Sequence, residues 1–255
     1  MKKSFKDDKR TDTTPDPVNE TEVDETSLAE IEGSGNALTT ADASLSLSLG
    51  HVEGSVDRKD LIIPRLSIVH GVGALSEDYE AGDLVLNRDT LLVHKEEPIS
   101  LTVLSIKKTY EERLAYDPNG PRPQTWETRE ELVADGLHTE WRNNEPPPVR
   151  EVAAILCLIK KPEGVESLSF NIEHDGDSYG IAVWTVRNTA YSRAAKKVFS
   201  ASAIELAKSG LLAGRWTLFT KRDQIGGNYV FVPYLSLEDE KNSPEFIATV
   251  TERLG

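Results

Sequence analysis

Short apolar segments with a period of two, separated by turn residues, dominate the chain from residue 59 onward. In residues 99–107, for example, Ile99, Leu101 and Val103 alternate with more polar positions. This period places every second side chain on the same face of a strand, which is typical of a half-buried β-sheet. The pattern predicts a single, mainly β domain over residues 59–255. The predicted strands are residues 61–69, 83–87, 90–93, 99–107, 152–159, 168–172, 181–187, 215–221 and 228–237.

The turns between the first strands carry their own predictions. Pro64 has no N–H to donate, so residues 61–69 are predicted to form an edge strand or two short pieces. The turn residues Asn87-Arg88-Asp89 predict a hairpin between the two segments that flank them.

One helix is predicted between strands, and a second one ends the domain. The first covers residues 188–208, with Asn188 or Thr189 as its N-cap and Gly210 after its last turn. The second covers residues 243–254 and has a proline in its first turn. This order predicts an OB-like, curled antiparallel sheet or barrel with one helix between strands. An open α+β sheet with that helix packed on one face agrees with the same pattern.

Residues 113–150 interrupt the strand pattern and are predicted to form an insertion. Residues 117–123 are rich in turn residues, and three consecutive prolines stiffen the connection before the next strand. Between them, residues 128–137 predict a short helix. Thr128 stands at its N-cap position and Glu131 at the position that completes a capping box.

The N-terminal residues 1–58 are polar and acidic and are predicted to form a disordered arm. Residues 1–60 contain fourteen Asp and Glu against seven Lys and Arg, a balance of −7. Such a segment buries too little apolar surface to offset the entropy of ordering. The Leu/Ser alternation at residues 45–49 agrees with a strand and equally with a docking motif for a partner.

The composition predicts a cytoplasmic protein, which is the host cytoplasm if the source is a virus. The single cysteine, Cys157, lies in an apolar run and allows no disulfide within the chain. No apolar segment of signal-peptide type follows Met1-Lys2-Lys3, and no run of about 18 apolar residues predicts a membrane span.

No motif in the sequence predicts a catalytic, metal or cofactor site. The five histidines show no ligand spacing, and no Cys-x-x-Cys pair is present. Gly71-Val72-Gly73 lacks the third glycine of a dinucleotide fingerprint, and neither a P-loop nor a nucleophile elbow occurs. We therefore expect a protein that is not an enzyme; a nuclease built on scattered carboxylates is the least favoured hypothesis.

A basic stretch rich in aromatic residues is the strongest functional feature. Residues 187–222 carry eight Lys and Arg against one Glu, a balance of +7 in a chain of net charge −14. Single-stranded nucleic acid needs cations for its phosphates and flat rings for its unstacked bases. Strand alternation puts Phe219 on the exposed face and Trp216 in the core. The predicted binding residues are Arg187, Tyr191, Arg193, Lys196, Lys197, Arg215, Phe219, Lys221, Arg222, Tyr229 and Phe231. A solvated helix face and core aromatics would explain the same residues without any ligand.

The chain also resembles a group of phage-encoded proteins that bind single-stranded DNA during replication or recombination. The resemblance covers about residues 60–237, is carried by residues 63–69, 82–87, 191–197, 214–218 and 229–233, and includes no catalytic signature. It implies an OB-like fold and a DNA-coating role. Many such proteins carry an acidic tail at the C-terminus. Here the acidic segment is N-terminal, which moves the expected contact with replication or recombination proteins to the arm or puts it in doubt.

Two function classes follow from these observations. The first is a sequence-nonspecific single-stranded DNA-binding protein that protects or organises DNA in viral replication or recombination. The second is a structural or assembly protein of a virus particle. A DNA binder should gather its cations on one concave face, whereas an assembly protein should scatter them and expose an apolar patch. The sequence leaves open whether DNA or RNA is preferred and whether the chain forms a homo-oligomer.

Overall fold

The computed structural model describes residues 62–114, 120–143, 145–225 and 227–254. The predicted arm, residues 1–58, and its Leu/Ser segment lie outside the described residues. Within the described ranges, ten strands form one sheet. The strands and helices are β1 (Arg65–Ile68), β2 (Leu84–Leu86), β3 (Thr90–Val93), β4 (Ile99–Glu112), β5 (Thr125–Trp126), α1 (Arg129–Ala134), β6 (Val149–Lys160), β7 (Phe170–His174), β8 (Asp177–Arg187), α2 (Asn188–Ala190), a π-helical turn (Tyr191–Ala195), α3 (Lys196–Ala203), β9 (Gly214–Ile225), β10 (Asn228–Lys241) and α4 (Pro244–Leu254).

The sheet is strongly curled and forms a half-barrel. Its strands follow the order β10, β9, β4, β6, β8, β1, β2, β3, while β5 pairs with β4 and β7 pairs with β8. All the pairs are antiparallel except one, in which β1 runs parallel to β8. The structure is mainly β, and its curled sheet is consistent with the OB-like class that the strand pattern predicts.

β1 is shorter than predicted and is not an edge strand. It covers four residues and lies between β8 and β2. Pro64 stands just before it, where a missing N–H costs no ladder hydrogen bond, and its carbonyl accepts the N–H of Val183 at 2.8 Å. The prediction of an edge strand is therefore wrong. A proline can precede a strand in the middle of a sheet when its own nitrogen is not part of the hydrogen-bonded ladder.

The turn predicted for the first hairpin and the capping box predicted in the insertion are confirmed, whereas residues 117–119 of the predicted turn-rich loop lie outside the described residues. Asn87 and Arg88, between β2 and β3, have φ angles of 53° and 69°. In the insertion, the Thr128 hydroxyl accepts the N–H of Glu131, and the Glu131 carboxylate accepts the N–H of Thr128, which completes the capping box. The helix α1 stops at Ala134, three residues earlier than predicted.

α2, the π-helical turn and α3 are continuous, and we call them the central helix (Asn188–Ala203). The predicted side-chain cap is wrong, because no side chain caps this helix. The chain passes directly from β8 into the helix, so Arg187 occupies the N-cap position and its guanidinium pairs with Glu111 instead. Asn188 already lies in the first turn, with a φ of 47°. The α-helix ends at Ala203, five residues before the predicted end.

The core lies inside the curl of the sheet. Large buried side chains such as Ile155, Trp184 and Trp216 point into it. The central helix packs against them through Ala194 and Ala195, whose small side chains allow a close approach. On the other side of the sheet, the predicted terminal helix α4 is confirmed and covers a second apolar cluster. No helix among the described residues has the length and apolar character needed to cross a bilayer.

The two sides of the curled sheet meet at what we call the closure contact, formed by Gly82, Glu96, Thr220 and Phe231. The Thr220 hydroxyl donates to the carbonyl of Gly82 at 2.6 Å and accepts the N–H of Glu96 at 3.2 Å. The ring of Phe231 packs so closely on Gly82 that a Cβ there would lie 2.6 Å from a ring carbon. The closure contact therefore fixes the hairpin of β9 and β10 to the opposite side of the curled sheet.

Candidate nucleic-acid interface

The hairpin of β9 and β10 separates its side chains into a core face and an outer face. Trp216, Leu218 and Thr220 are buried on the core face. Phe219 points to the opposite side and is half-buried. The predicted core position of Trp216 is confirmed, since only 1% of this residue is exposed. The register of β9 is thus the one that alternation predicts.

Tyr234 lies opposite Phe219 on β10 and stacks on it. The two residues are register partners, their ring centroids are 5.6 Å apart, and their planes differ by 19°. Near-parallel aromatic pairs of this kind are favourable. Because Tyr234 covers one side of the Phe219 ring, Phe219 is less open to a base than alternation alone predicts.

Arg193 reaches from the central helix to this stack. Its Nη1 donates to the hydroxyl of Tyr234 at 2.9 Å, and its Nη2 donates to Oδ2 of Asp223 at 2.6 Å. The guanidinium carbon lies 5.1 Å from the centre of the Tyr234 ring. Lys221 approaches the same ring, with Nζ at 5.8 Å. Two cations therefore lie close to one aromatic ring.

Lys196 and Lys197 extend this positive surface along the helix. Both are exposed. The ammonium of Lys197 donates to the carbonyl of Leu235 at 2.9 Å, which ties the helix to the outermost strand of the sheet. A lysine placed along an outer strand also discourages unwanted pairing with another strand. Arg193 and Lys197 lie one turn apart, and both reach β10.

The end of the hairpin carries a second ring and a second cation. The guanidinium of Arg222 lies 4.7 Å from the centre of the Tyr229 ring, and 62% of Tyr229 is exposed. Phe231, two residues further on, is occupied by the closure contact with Gly82. Tyr229 is therefore the most open ring that the hairpin offers.

Eight residues thus lie on and around the end of the hairpin, and we call them the hairpin surface. Strand alternation places Arg222 and Tyr229 on the face of Thr220, whereas Phe219, Lys221 and Tyr234 lie on the opposite face. Seven were predicted from the sequence, and Tyr234 joins them in the structure. They are Arg193, Lys196, Lys197, Phe219, Lys221, Arg222, Tyr229 and Tyr234.

The charge of the hairpin changes sign along its length. Between Phe219 and Tyr234 the only acidic residue is Asp223. Towards the other end of β10, Glu238, Asp239 and Glu240 follow one another. A phosphate backbone would therefore meet attraction at the end of the hairpin and repulsion near its base.

Two predicted binding residues lie inside the structure instead. Arg187 pairs with Glu111 at 2.8 Å, next to a second pair between Glu111 and Arg150. Burial lowers the pKa of Arg187, although the charge of Glu111 opposes this shift. Tyr191 is only 4% exposed, and its ring lies 5.8 Å from the ammonium of Lys108. Burial raises the pKa of the Tyr191 hydroxyl. Neither side chain belongs to the hairpin surface.

A third predicted residue, Arg215, lies at the acidic end of the hairpin. Its Nε donates to Glu238 at 2.7 Å, and its Nη1 donates to Glu240 at 3.2 Å. Two carboxylates thus neutralise its charge. The structure therefore does not bring Arg215 together with Arg193 and Lys221, although strand alternation places Arg215 and Lys221 on one face.

The sequence contains a signal that identifies Tyr234 and that strand alternation alone does not use. Ile225 and Asn228 are register partners where β9 and β10 meet. Counting back six residues on β9 and forward six on β10 pairs Phe219 with Tyr234. No comparable signal reveals the contact of Arg193 with Asp223, because it depends on how the helix packs.

Comparisons of the chain with protein-family models, with curated proteins and with solved structures find no match. The geometry of the hairpin surface therefore has to carry the functional argument.

Proposed function

We propose that this protein binds single-stranded nucleic acid, without strong sequence preference, through the hairpin surface. In this proposal it protects or organises single-stranded DNA during viral replication or recombination. The observation that carries the proposal is the exposed Tyr229 ring beside the guanidinium of Arg222. A flat ring with an adjacent cation suits an unstacked base and its phosphate.

The exposure of the cations supports this proposal. Lys196, Lys197, Lys221 and Arg222 are exposed. Exposed cations are available to phosphates and can release condensed counterions when a strand binds. A ring recognises any base through its π-face, so the surface offers no reason for strong sequence preference.

A titration of the full chain with fluorescent oligo-dT, read by anisotropy at several salt concentrations, tests the proposal. We expect binding at about 50 mM salt, with log K falling against log salt by about 0.7 for each phosphate contacted. Absence of binding at this salt concentration, or binding that salt does not weaken, would exclude the proposed function. An oligo-U titration under the same conditions measures the preference for DNA over RNA.

A pair of variants controls for the location of the site. Arg222→Ala removes an exposed cation beside Tyr229, whereas Arg215→Ala removes one that Glu238 and Glu240 already neutralise. Weaker binding with the first variant and nearly normal binding with the second assign binding to the hairpin surface. If neither variant changes the affinity, DNA binds elsewhere. If oligonucleotides do not bind and the chain forms large particles, the assembly function is favoured.

A further inference from the structure

The fork of Arg193 is already occupied by an anion in the structure. The Asp223 carboxylate accepts from Nη2 at 2.6 Å, while Nη1 is held by the Tyr234 hydroxyl at 2.9 Å. The second carboxylate oxygen of Asp223 accepts the N–H of Gln224 at 2.9 Å. Both partners are partly open to solvent, with 39% of the Arg193 side chain and 32% of the Asp223 side chain exposed.

Carboxylate and phosphate present similar pairs of oxygens to a guanidinium. An arginine can therefore exchange one for the other without changing its own orientation. Tyr234 favours such an exchange, because its hydroxyl bond and its ring would keep the guanidinium in place after Asp223 has left. Ion pairs between solvent-exposed groups contribute little net stability, so the exchange meets a low cost.

We propose that Arg193 is a phosphate-binding residue of the hairpin surface and that Asp223 is its built-in competitor. The carboxylate occupies the fork in the free protein, and a backbone phosphate of the bound strand replaces it. This inference rests on the proposed function and adds to it the residue that limits the affinity. Asp223 is suited to this role because it is the only acidic residue between Phe219 and Tyr234.

The exchange bears on the affinity for DNA rather than on its dependence on salt. In the natural chain, a phosphate gains Arg193 while Asp223 loses it. A single carboxylate condenses no counterions, so the phosphate bound at Arg193 releases its counterions whether or not Asp223 is present. The salt slope should therefore be nearly the same with and without the charge of Asp223, and the competition should appear in the affinity itself.

The test compares the full chain with its Asp223→Asn variant, using fluorescent oligo-dT over a range of salt concentrations. Asparagine has the same shape and can still accept the N–H of Gln224. We expect the variant to bind about three- to tenfold more tightly at about 50 mM salt. We also expect a nearly unchanged salt slope, because the same phosphates are contacted, and an unchanged melting temperature without DNA.

Glu238→Gln is the matched control. It also removes one negative charge that pairs with an arginine on the same hairpin, but at the opposite end from Tyr229. We expect its affinity to stay within about twofold of the natural chain, because local competition at the hairpin surface is untouched.

Each outcome supports or overturns the inference. Tighter binding by Asp223→Asn, with an unchanged affinity of Glu238→Gln, supports it. Equal gains in both variants would show a general effect of net charge and would overturn it. Unchanged or weaker binding by Asp223→Asn, with normal binding by the natural chain, overturns the inference but leaves the proposed function intact. If neither the natural chain nor the Asp223→Asn variant binds, both the inference and the proposed function are overturned.

Discussion

The rings of the hairpin surface differ in how much of each is open to a base. Tyr229 is mostly exposed and touches a cation, whereas Phe219 and Tyr234 cover one another. A ring already stacked within the protein offers at most one side to a ligand. We therefore assign the main stacking contact to Tyr229, and a supporting role to the Phe219–Tyr234 pair.

Tyr229→Ala should weaken oligo-dT binding by about 1–3 kcal/mol, the range typical of base–aromatic stacking. It should leave the melting temperature nearly unchanged, because 62% of the residue is exposed. Tyr229→Phe keeps the ring and should bind almost normally. Anisotropy titrations and thermal melts of both variants check this. Equal losses in the two variants would assign the effect to the hydroxyl and contradict stacking.

Phe219 and Trp216 should differ in stability, because they lie on opposite faces of one strand. Trp216→Ala should destabilise the fold by about 3–5 kcal/mol, as the loss of a buried aromatic does. Phe219→Ala should cost only about 1–2 kcal/mol, since the ring is half-buried and loses one stacked partner. Urea denaturation of both variants measures the difference. A larger loss for Phe219 would contradict the assignment of the two faces.

At the scale of elements, the position of the hairpin depends on the closure contact. Phe231 packs on Gly82, and Thr220 bonds to the backbone on the opposite side of the curl. The hairpin surface is thus built on a strand pair that is held by the β2 side of the sheet. A residue far from the proposed DNA contacts should therefore affect them.

Gly82→Ala should destabilise the protein by at least about 1–3 kcal/mol, the cost of a strained backbone. The φ angle of Gly82 is 99°, and the new Cβ would also press on the ring of Phe231. Gly210 also has a positive φ but open space around it, and Gly71 has neither a positive φ nor a close neighbour. The melting temperature should be lowest for Gly82→Ala, intermediate for Gly210→Ala and highest for Gly71→Ala. Equal melting temperatures for Gly82→Ala and Gly210→Ala would contradict the close packing.

At the scale of the whole molecule, the charge of the chain is unevenly distributed. The acidic residues 1–60 have a balance of −7, while the stretch with the proposed DNA contacts has a balance of +7. A tethered acidic segment competes with DNA for a basic surface at a high effective concentration. We therefore expect the arm to lower the affinity of the full chain for DNA.

Deletion of residues 2–58 should tighten oligo-dT binding and leave the melting temperature nearly unchanged. The first effect follows from the loss of a tethered competitor, and the second from the polar composition of the arm. Titrations and melts of the shortened chain check both. If the shortened chain unfolds or binds more weakly, the arm contributes to the fold or to the site.

The strands and turns of the sheet are readable from the sequence because local chemistry controls them. Alternation identifies the face of Trp216, and the residues around Asn87 identify the first hairpin. The capping box at Thr128 marks the start of α1. Each of these features depends on residues only a few positions apart, so a short window of sequence contains all the information.

The pairing of the cations is different, because it depends on residues that only the folded sheet brings together. Arg187 meets Glu111 across 76 positions of the chain, and Arg193 meets Asp223 across 30. The first contact buries Arg187, which the sequence predicts to bind nucleic acid. The second holds the guanidinium of Arg193 near the ring of Tyr234. Composition could predict that the stretch is basic. It could not predict which charges stay exposed, because the curl of the sheet and the packing of the central helix determine the distances between them.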